Sequence, residues 1–313
     1  MSNIGALIGV LLLASPAWAE ESNVKVCGKN WPPDTTKVLC EGSPYSSTLK
    51  DGRLPDELAH LAQLEILELR RLSLKDCTVL QRLPSLRELT FAHTRVLNAE
   101  CLAVPPSVER LELREAKVDN ISGLKSKGGL LHLSLPAHVT DIKPVAAIST
   151  LESLDLRDTR VADLSPLSNL VNLKRLLLSG ASGVRDGVPL KGLVALEHLD
   201  LTSTGLEDVK WAKRLVLLKT LLLGDTAIKD LRGLKRLEAL LTLNLAGTPL
   251  KRLPSLKRLT QLHTLILSDT FVSKVTTLRR QESLRQLDLV GTEVSEKQLE
   301  KLKEALPECK IAH

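Results

Sequence analysis

The stretch Leu151–Leu173, LESLDLRDTRVADLSPLSNLVNL, reads L-x-x-L-x-L-x-x-T-x-V-x-D-L-x-x-L-x-x-L-x-x-L, and almost the whole 313-residue chain repeats it. The second leucine of L-x-L marks each copy: Leu69, Phe91, Leu113, Leu135, Leu156, Leu178, Leu201, Leu223, Leu245, Leu267, Leu289 and Ile311. Copies follow every 22 residues, except for a step of 21 from Leu135 to Leu156 and one of 23 from Leu178 to Leu201. A fixed period in this range, in register over most of a chain, means a stacked-repeat architecture. The missing residue falls near His138-Val139 and the extra one near Ser182-Gly183-Val184, so both irregularities are expected in the turn after a strand.

Within one copy the L-x-L segment alternates, which suits a short strand with its leucines facing inward. After the Thr the spacing changes to roughly three, the pattern of a return path of turns and short 3₁₀ pieces. No single coil can bury its own leucines; stacking makes a continuous leucine core and a parallel sheet along one face. With strands ~4.8 Å apart, the sheet should be about 50 Å long. Aromatic residues make up only 2% of the chain, as expected of a coil interior too narrow for rings. A ladder of Thr94, Thr159, Thr204, Thr226, Thr248, Thr270 and Thr292 stands where the chain leaves each strand. There the backbone needs a short polar partner. Leu72, Ala116, His138 and Ala181 interrupt the ladder, so the C-terminal half should be the more regular.

The unit resembles the 22-residue bacterial class of leucine-rich repeat and is similar to the repeat region of internalins, over about residues 61–311. That family usually has Asn in the slot held here by Thr. The resemblance implies a curved α/β solenoid, or horseshoe. Its short parallel strands line the concave face, 3₁₀ and irregular segments form the convex face, and other proteins are bound on the concave side. It implies no enzymatic activity.

The ends of the chain differ from the repeats. Residues 1–19 carry an apolar run from Ile4 to Ala14 and a small-x-small site, Ala17-Trp18-Ala19. This is a signal-peptide pattern too short for a membrane span, although its n-region has no Lys or Arg; an uncleaved anchor or a misassigned start is the other reading. No later stretch is apolar enough to cross a membrane; on the signal-peptide pattern the mature chain is expected outside the cytoplasm, periplasmic or secreted. Residues 20–60 are expected to cap the first coil, with Cys27 and Cys40 expected to form a disulfide there; two free thiols are the other reading. The repeats follow over 61–294. Residues 295–313 should form a helix opened by a Ser295–Gln298 capping box, with Leu299, Leu302 and Leu306 on one face, then a last strand. Cys77 and Cys309 read as small core residues, whereas Cys101 falls outside the inward slots and could be a reactive or intermolecular thiol.

No Walker loop, G-x-S-x-G, H-E-x-x-H or paired C-x-x-C occurs, and His132 and His198 lie three repeats apart, too far to share a metal. Neither catalysis, a cofactor nor a metal is expected. The outward face of the sheet is the informative surface. Its first half is laced with charge, including Arg110, Glu112 and Arg157, and its second half is small and Thr-rich. Leu177, Leu222 and Ile266 break an otherwise polar slot and are the expected anchors for a partner protein, with Asn244 and Asp288 beside them. A second pattern recurs at the repeat spacing: Lys213-Arg214, Lys235-Arg236, Lys257-Arg258 and Arg279-Arg280. Stacked on the convex side they form a ridge ~20 Å long that accounts for much of the net charge of +6. The ridge either meets an anionic envelope surface (lipid headgroups or lipopolysaccharide) or is ordinary solubilising charge. Nucleic acid is not an expected partner, because surface aromatics are nearly absent.

Overall fold

The computed structural model describes residues 23–42, 49–124 and 128–313, so the expected export segment lies outside the described residues. Thirteen short strands form one parallel sheet in which spatial order follows chain order. The inward leucines two places before the markers pair in line, from Leu67 with Leu89 to Leu265 with Leu287. Both irregular steps keep this register: Leu133 pairs with Leu154 across the short one, and Leu176 with Leu199 across the long one. The core absorbs them in the turns as expected, with Val139 and Val184 each still buried.

The thirteenth strand, Lys37–Glu41, belongs to the N-terminal cap and pairs Val38 with Leu67 and Cys40 with Leu69. Its coil closes through the 3₁₀ segment Asp56–His60, with Leu54, Leu58, Leu61 and Leu64 buried. Over its outer edge folds a hairpin of Val24–Val26 and Lys29–Trp31. A Cys27–Cys40 disulfide (Cα–Cα 5.2 Å) ties hairpin to strand. A solenoid end that would otherwise show its leucines to water is closed in this way.

A second disulfide corrects the reading of two cysteines. Cys77 and Cys101 are bonded, with Cα atoms 4.9 Å apart and both residues buried. Cys101 is therefore not a free thiol, nor Cys77 a lone core residue. Their separation of 24 is not the repeat period. In a stack, however, residues about one coil apart lie ~4.8 Å from each other, inside the disulfide range.

The Thr ladder works as a turn lock. The hydroxyls of Thr159, Thr204, Thr226, Thr248, Thr270 and Thr292 each donate to the carbonyl three residues back, at 2.6–2.7 Å. The residue before the Thr takes a left-handed backbone: Asp158, Ser203, Asp225 and Asp269, and in the same slot Gly180, Gly247 and Gly291. Three Asp/Gly pairs alternate on neighbouring coils, because a Cβ on Gly180, Gly247 or Gly291 would press on the carboxylate of Asp158, Asp225 or Asp269. Only Gly satisfies both the positive φ and the missing space.

The C-terminal helix spans Glu296–Ala305, is N-capped by Ser295, and buries Leu299 and Leu302. The expected capping box is not formed. The Ser295 side chain makes no cap bond, and Gln298 instead bonds the preceding coil, donating to the Ser273 carbonyl (2.7 Å) and accepting from the Val275 amide (3.3 Å). The last strand is also displaced by two residues. Ile311 pairs with Leu287, so it fills the first inward slot; Cys309, expected there, lies before the strand and is half-buried. An α-helix rises about 1.5 Å per residue against ~2.0 Å for a 3₁₀ helix, so this coil uses two more residues to cover the same path.

Candidate functional site

Alternation puts the middle and flanking residues of every strand on opposite faces, and the outward set forms the concave surface. Across its C-terminal half one slot alternates strand by strand: Asp155, Leu177, Asp200, Leu222, Asn244, Ile266, Asp288. The three aliphatics thus stand on the outward face, as expected, ~9.6 Å apart along the sheet. They are half-buried rather than fully exposed, since each is flanked on both neighbouring strands by an acid or amide.

Those flanking groups have a second task. The Oδ1 atoms of Asp155, Asp200, Asn244 and Asp288 accept the amides of Arg157, Thr202, Ala246 and Val290, at 2.9–3.0 Å. Asn244 and Asp288, expected only as partner contacts, are therefore turn caps first.

The charged half is internally paired. Asp155 is the hub: it accepts from the Arg157 guanidinium (2.9 and 3.0 Å to Nε) and from Arg114 Nη1 (3.1 Å), while Arg114 also reaches Asp158 at 2.8 Å. Burial alone would push the Asp155 carboxyl up, but bonds from the Arg157 side chain and amide, with the nearby Arg157 and Arg114 charges, hold it below the usual range. Arg110 lies 3.8 Å from Glu88 and 3.6 Å from Glu112, and Glu112 also accepts the Ser134 hydroxyl. His132 and His198 are each pushed down, mainly by burial and then by Arg110 and Arg175 respectively, so both are neutral at pH 7. Among the described residues no group of three or more His, Cys, Asp or Glu is placed to hold a metal, and no helix is long and apolar enough to cross a membrane.

The convex ridge is where the repeat spacing puts it. Lys213 and Arg214 close the 3₁₀ segment Lys210–Arg214, Lys235 follows Arg232–Leu234, and Arg279 and Arg280 close Thr276–Arg280. Lys213, Arg214, Lys235, Arg236, Lys257, Arg258 and Arg280 are exposed and Arg279 is half-buried. Of the eight, only Arg258 has an ion pair among the described residues, to Glu238 at 3.1 Å.

Two features escaped the sequence. Val171, Val194 and Val216 occupy one slot on three successive coils, just before the strands, and with Leu217 are 51%, 40%, 48% and 52% exposed. Their signal was an aliphatic recurring where neighbouring coils carry Ser149 and Glu238. Gln281 stands in the inward column of Leu237 and Leu259, is buried, and donates to the Leu256 carbonyl at 2.6 Å.

No family model matches the sequence, and no curated protein is similar to it. Solved structures are. An internalin of Listeria monocytogenes superposes with a TM-score of 0.77 at 21% identity, over 91% of this chain and 83% of that one. A leucine-rich repeat protein of Leptospira interrogans gives 0.57 at 19%, over 90% of each chain. The leucine-rich repeat ectodomain of the Arabidopsis thaliana receptor kinase GASSHO1/SCHENGEN3, solved in complex with CASPARIAN STRIP INTEGRITY FACTOR 2, gives 0.68 at 20%, over 84% of this chain and 34% of that one. By strand order, register and these likenesses, the chain is a leucine-rich repeat solenoid similar in fold to the repeat region of internalins.

Proposed function

We propose that the protein is a non-enzymatic, exported scaffold that binds a partner protein through its concave face. The observation that carries this reading is the alternating slot, where Leu177, Leu222 and Ile266 stand outward between Asp155, Asp200, Asn244 and Asp288. Fully burying an aliphatic side chain is worth roughly 1.5–3 kcal/mol, so three at ~10 Å intervals offer a row of anchors rather than one pocket. Between them, capped acids and amides supply direction, and the Arg110–Glu112 and Asp155–Arg157 groups extend the contact toward the N-terminal half. Two disulfides fit an oxidising compartment, in keeping with export. The plant ectodomain crystallised in complex with CASPARIAN STRIP INTEGRITY FACTOR 2 has the same fold, which favours recognition over catalysis as the work of such a sheet.

The test is capture from an envelope extract by the mature chain. Changing Leu177, Leu222 and Ile266 together to Ser should leave the thermal midpoint nearly unchanged and weaken capture at least tenfold. Unchanged capture by this variant would refute the concave-face reading. Loss of capture on changing Val171, Val194 and Val216 to Ser instead would move the contact to the edge where the chain enters its strands.

A second reading is favoured by the ridge, whose basic side chains are almost all exposed and unpaired among the described residues. In it the convex side rests on an anionic envelope surface. Salt separates the two, because exposed charges are screened beyond ~8–10 Å at 0.1–0.15 M. Ridge binding should collapse between 50 and about 500 mM salt, whereas capture on the concave aliphatics should persist.

A further inference from the structure

Among the coils that begin at Leu135 to Leu267, one departs from the others on the convex side. In seven coils the inward residue at the start of the 3₁₀ segment (Cys77, Ile142, Leu164, Gly187, Val209, Leu231 or Val275) holds ψ between −2° and 22°. The amide three residues on then bonds its carbonyl, as in Leu234 to Leu231 (3.0 Å) and Leu278 to Val275 (2.9 Å). The equivalent residue in the intervening coil is Leu253, and Pro254 follows it directly. A residue before proline is pushed to ψ of about +120° to +160°, so Leu253 does not share the backbone of those seven residues. Prolines elsewhere in this segment, Pro144, Pro166 and Pro189, stand one residue later and are tolerated inside it.

The result is a coil with no 3₁₀ segment between Leu250 and Leu259. The loss of an Asx cap is not the cause. Asp230 caps the preceding coil by accepting the Arg232 amide, while Arg252 and Lys274 hold that slot in the next two, yet the Lys274 coil still forms Thr276–Arg280. Gln281 compensates from the following coil by bonding the Leu256 carbonyl.

Where the turn is missing, a cavity of about 220 Å³ opens onto the convex face. Its walls are Leu231, Leu234, Pro254, Leu256 and Leu259, and its rim carries Lys235, Lys257 and Arg258. All three rim cations are exposed, and among the described residues Lys235 and Lys257 have no ion pair. An apolar slot under unpaired cations is the complement of one kind of ligand. We propose that this cavity binds a single-chain anionic amphiphile, its acyl tail among the leucines and its phosphate or carboxylate head on Lys235 and Lys257. The site is independent of the concave-face reading, since a chain that captured no protein through its sheet would still carry it.

The test is calorimetric titration of the full chain with decyl phosphate below its micelle concentration, beside inorganic phosphate and decanol. Decyl phosphate should bind at one per chain, and each of the other two at least tenfold more weakly, because each lacks half of the contact. Pro254→Ser with Ser255→Pro puts the proline where Pro144, Pro166 and Pro189 stand in coils that form the segment, and keeps every charge; it should lower affinity at least tenfold. Ser255→Trp, which plugs the slot from an exposed position, should do the same, and Lys235→Gln with Lys257→Gln should cost about as much. Lys213→Gln with Arg214→Gln, one coil away on the same ridge, should change nothing. The proposal is overturned if inorganic phosphate binds as well as decyl phosphate, or if the Lys213/Arg214 pair matters as much as Lys235/Lys257. It is overturned equally if both cavity-closing variants bind decyl phosphate as the wild type does.

Discussion

The two halves of the solenoid solve the same problem with different chemistry. C-terminal of Leu154 every strand has three residues, and each turn is locked within its own coil by a Thr hydroxyl, apart from the coil with Ala181 in the Thr slot; the left-handed residue before it is shared with Arg71 and His93 of the other half. On the N-terminal side the strands Lys37–Glu41, Ile66–Arg70 and Glu88–Ala92 have five residues. A second parallel sheet of Ser73–Leu74, Arg95–Val96 and Lys117–Val118 runs beyond the turn, and both disulfides lie here. Here Leu72 and Ala116 interrupt the Thr ladder, and Thr94 itself bonds across coils, donating to the Leu69 carbonyl and accepting the Leu72 amide. Coils whose turns close locally are joined by the main sheet alone. Coils that lack the local lock add a second backbone ladder and covalent bonds.

The largest expected effect follows from that difference. Replacing Cys77 and Cys101 by Ala should cost about 2–4 kcal/mol, the usual worth of a disulfide. Hydrogen exchange should find the loss concentrated in the coils of Leu69, Phe91 and Leu113, with protection beyond Leu201 nearly unchanged. Uniform loss along the chain would show that the halves do not differ in how they are held.

Next in size is Gly247→Ala in the self-locked half. A non-Gly residue held at positive φ costs about 1–3 kcal/mol, and here the new Cβ also presses on Asp225. Adding Asp225→Gly, which keeps the positive φ of that position without a side chain, should recover the steric part alone. If the double variant is no more stable than the single one in urea melts, the alternation of Asp and Gly is not a packing rule.

The smallest effect is expected from Thr226→Val, which keeps shape and removes one buried bond to the Leu223 carbonyl. It should cost about 1 kcal/mol, a typical net hydrogen bond. A neutral result would leave the left-handed residue as the sole lock and weaken the contrast between the halves.

Much of the molecule could be read from residues alone, because each coil meets only copies of itself and the period therefore fixes the neighbours. The inward columns, the parallel register, the placement of both irregular steps, the outward position of Leu177, Leu222 and Ile266 and the exposed ridge all follow from that. What tertiary structure decided lies wherever contacts leave the repeat frame. Cys77 meets Cys101 because stacking brings them together at a spacing that is not the period. Ile311 pairs with Leu287 because an α-helix spends more residues on the return path. Asn244 and Asp288 turn one oxygen back to their own loops, which only the path of the backbone reveals. The cavity beside Lys235 and Lys257 lies on the coil that forms no 3₁₀ segment between Leu250 and Leu259, and only the path of that backbone opens it.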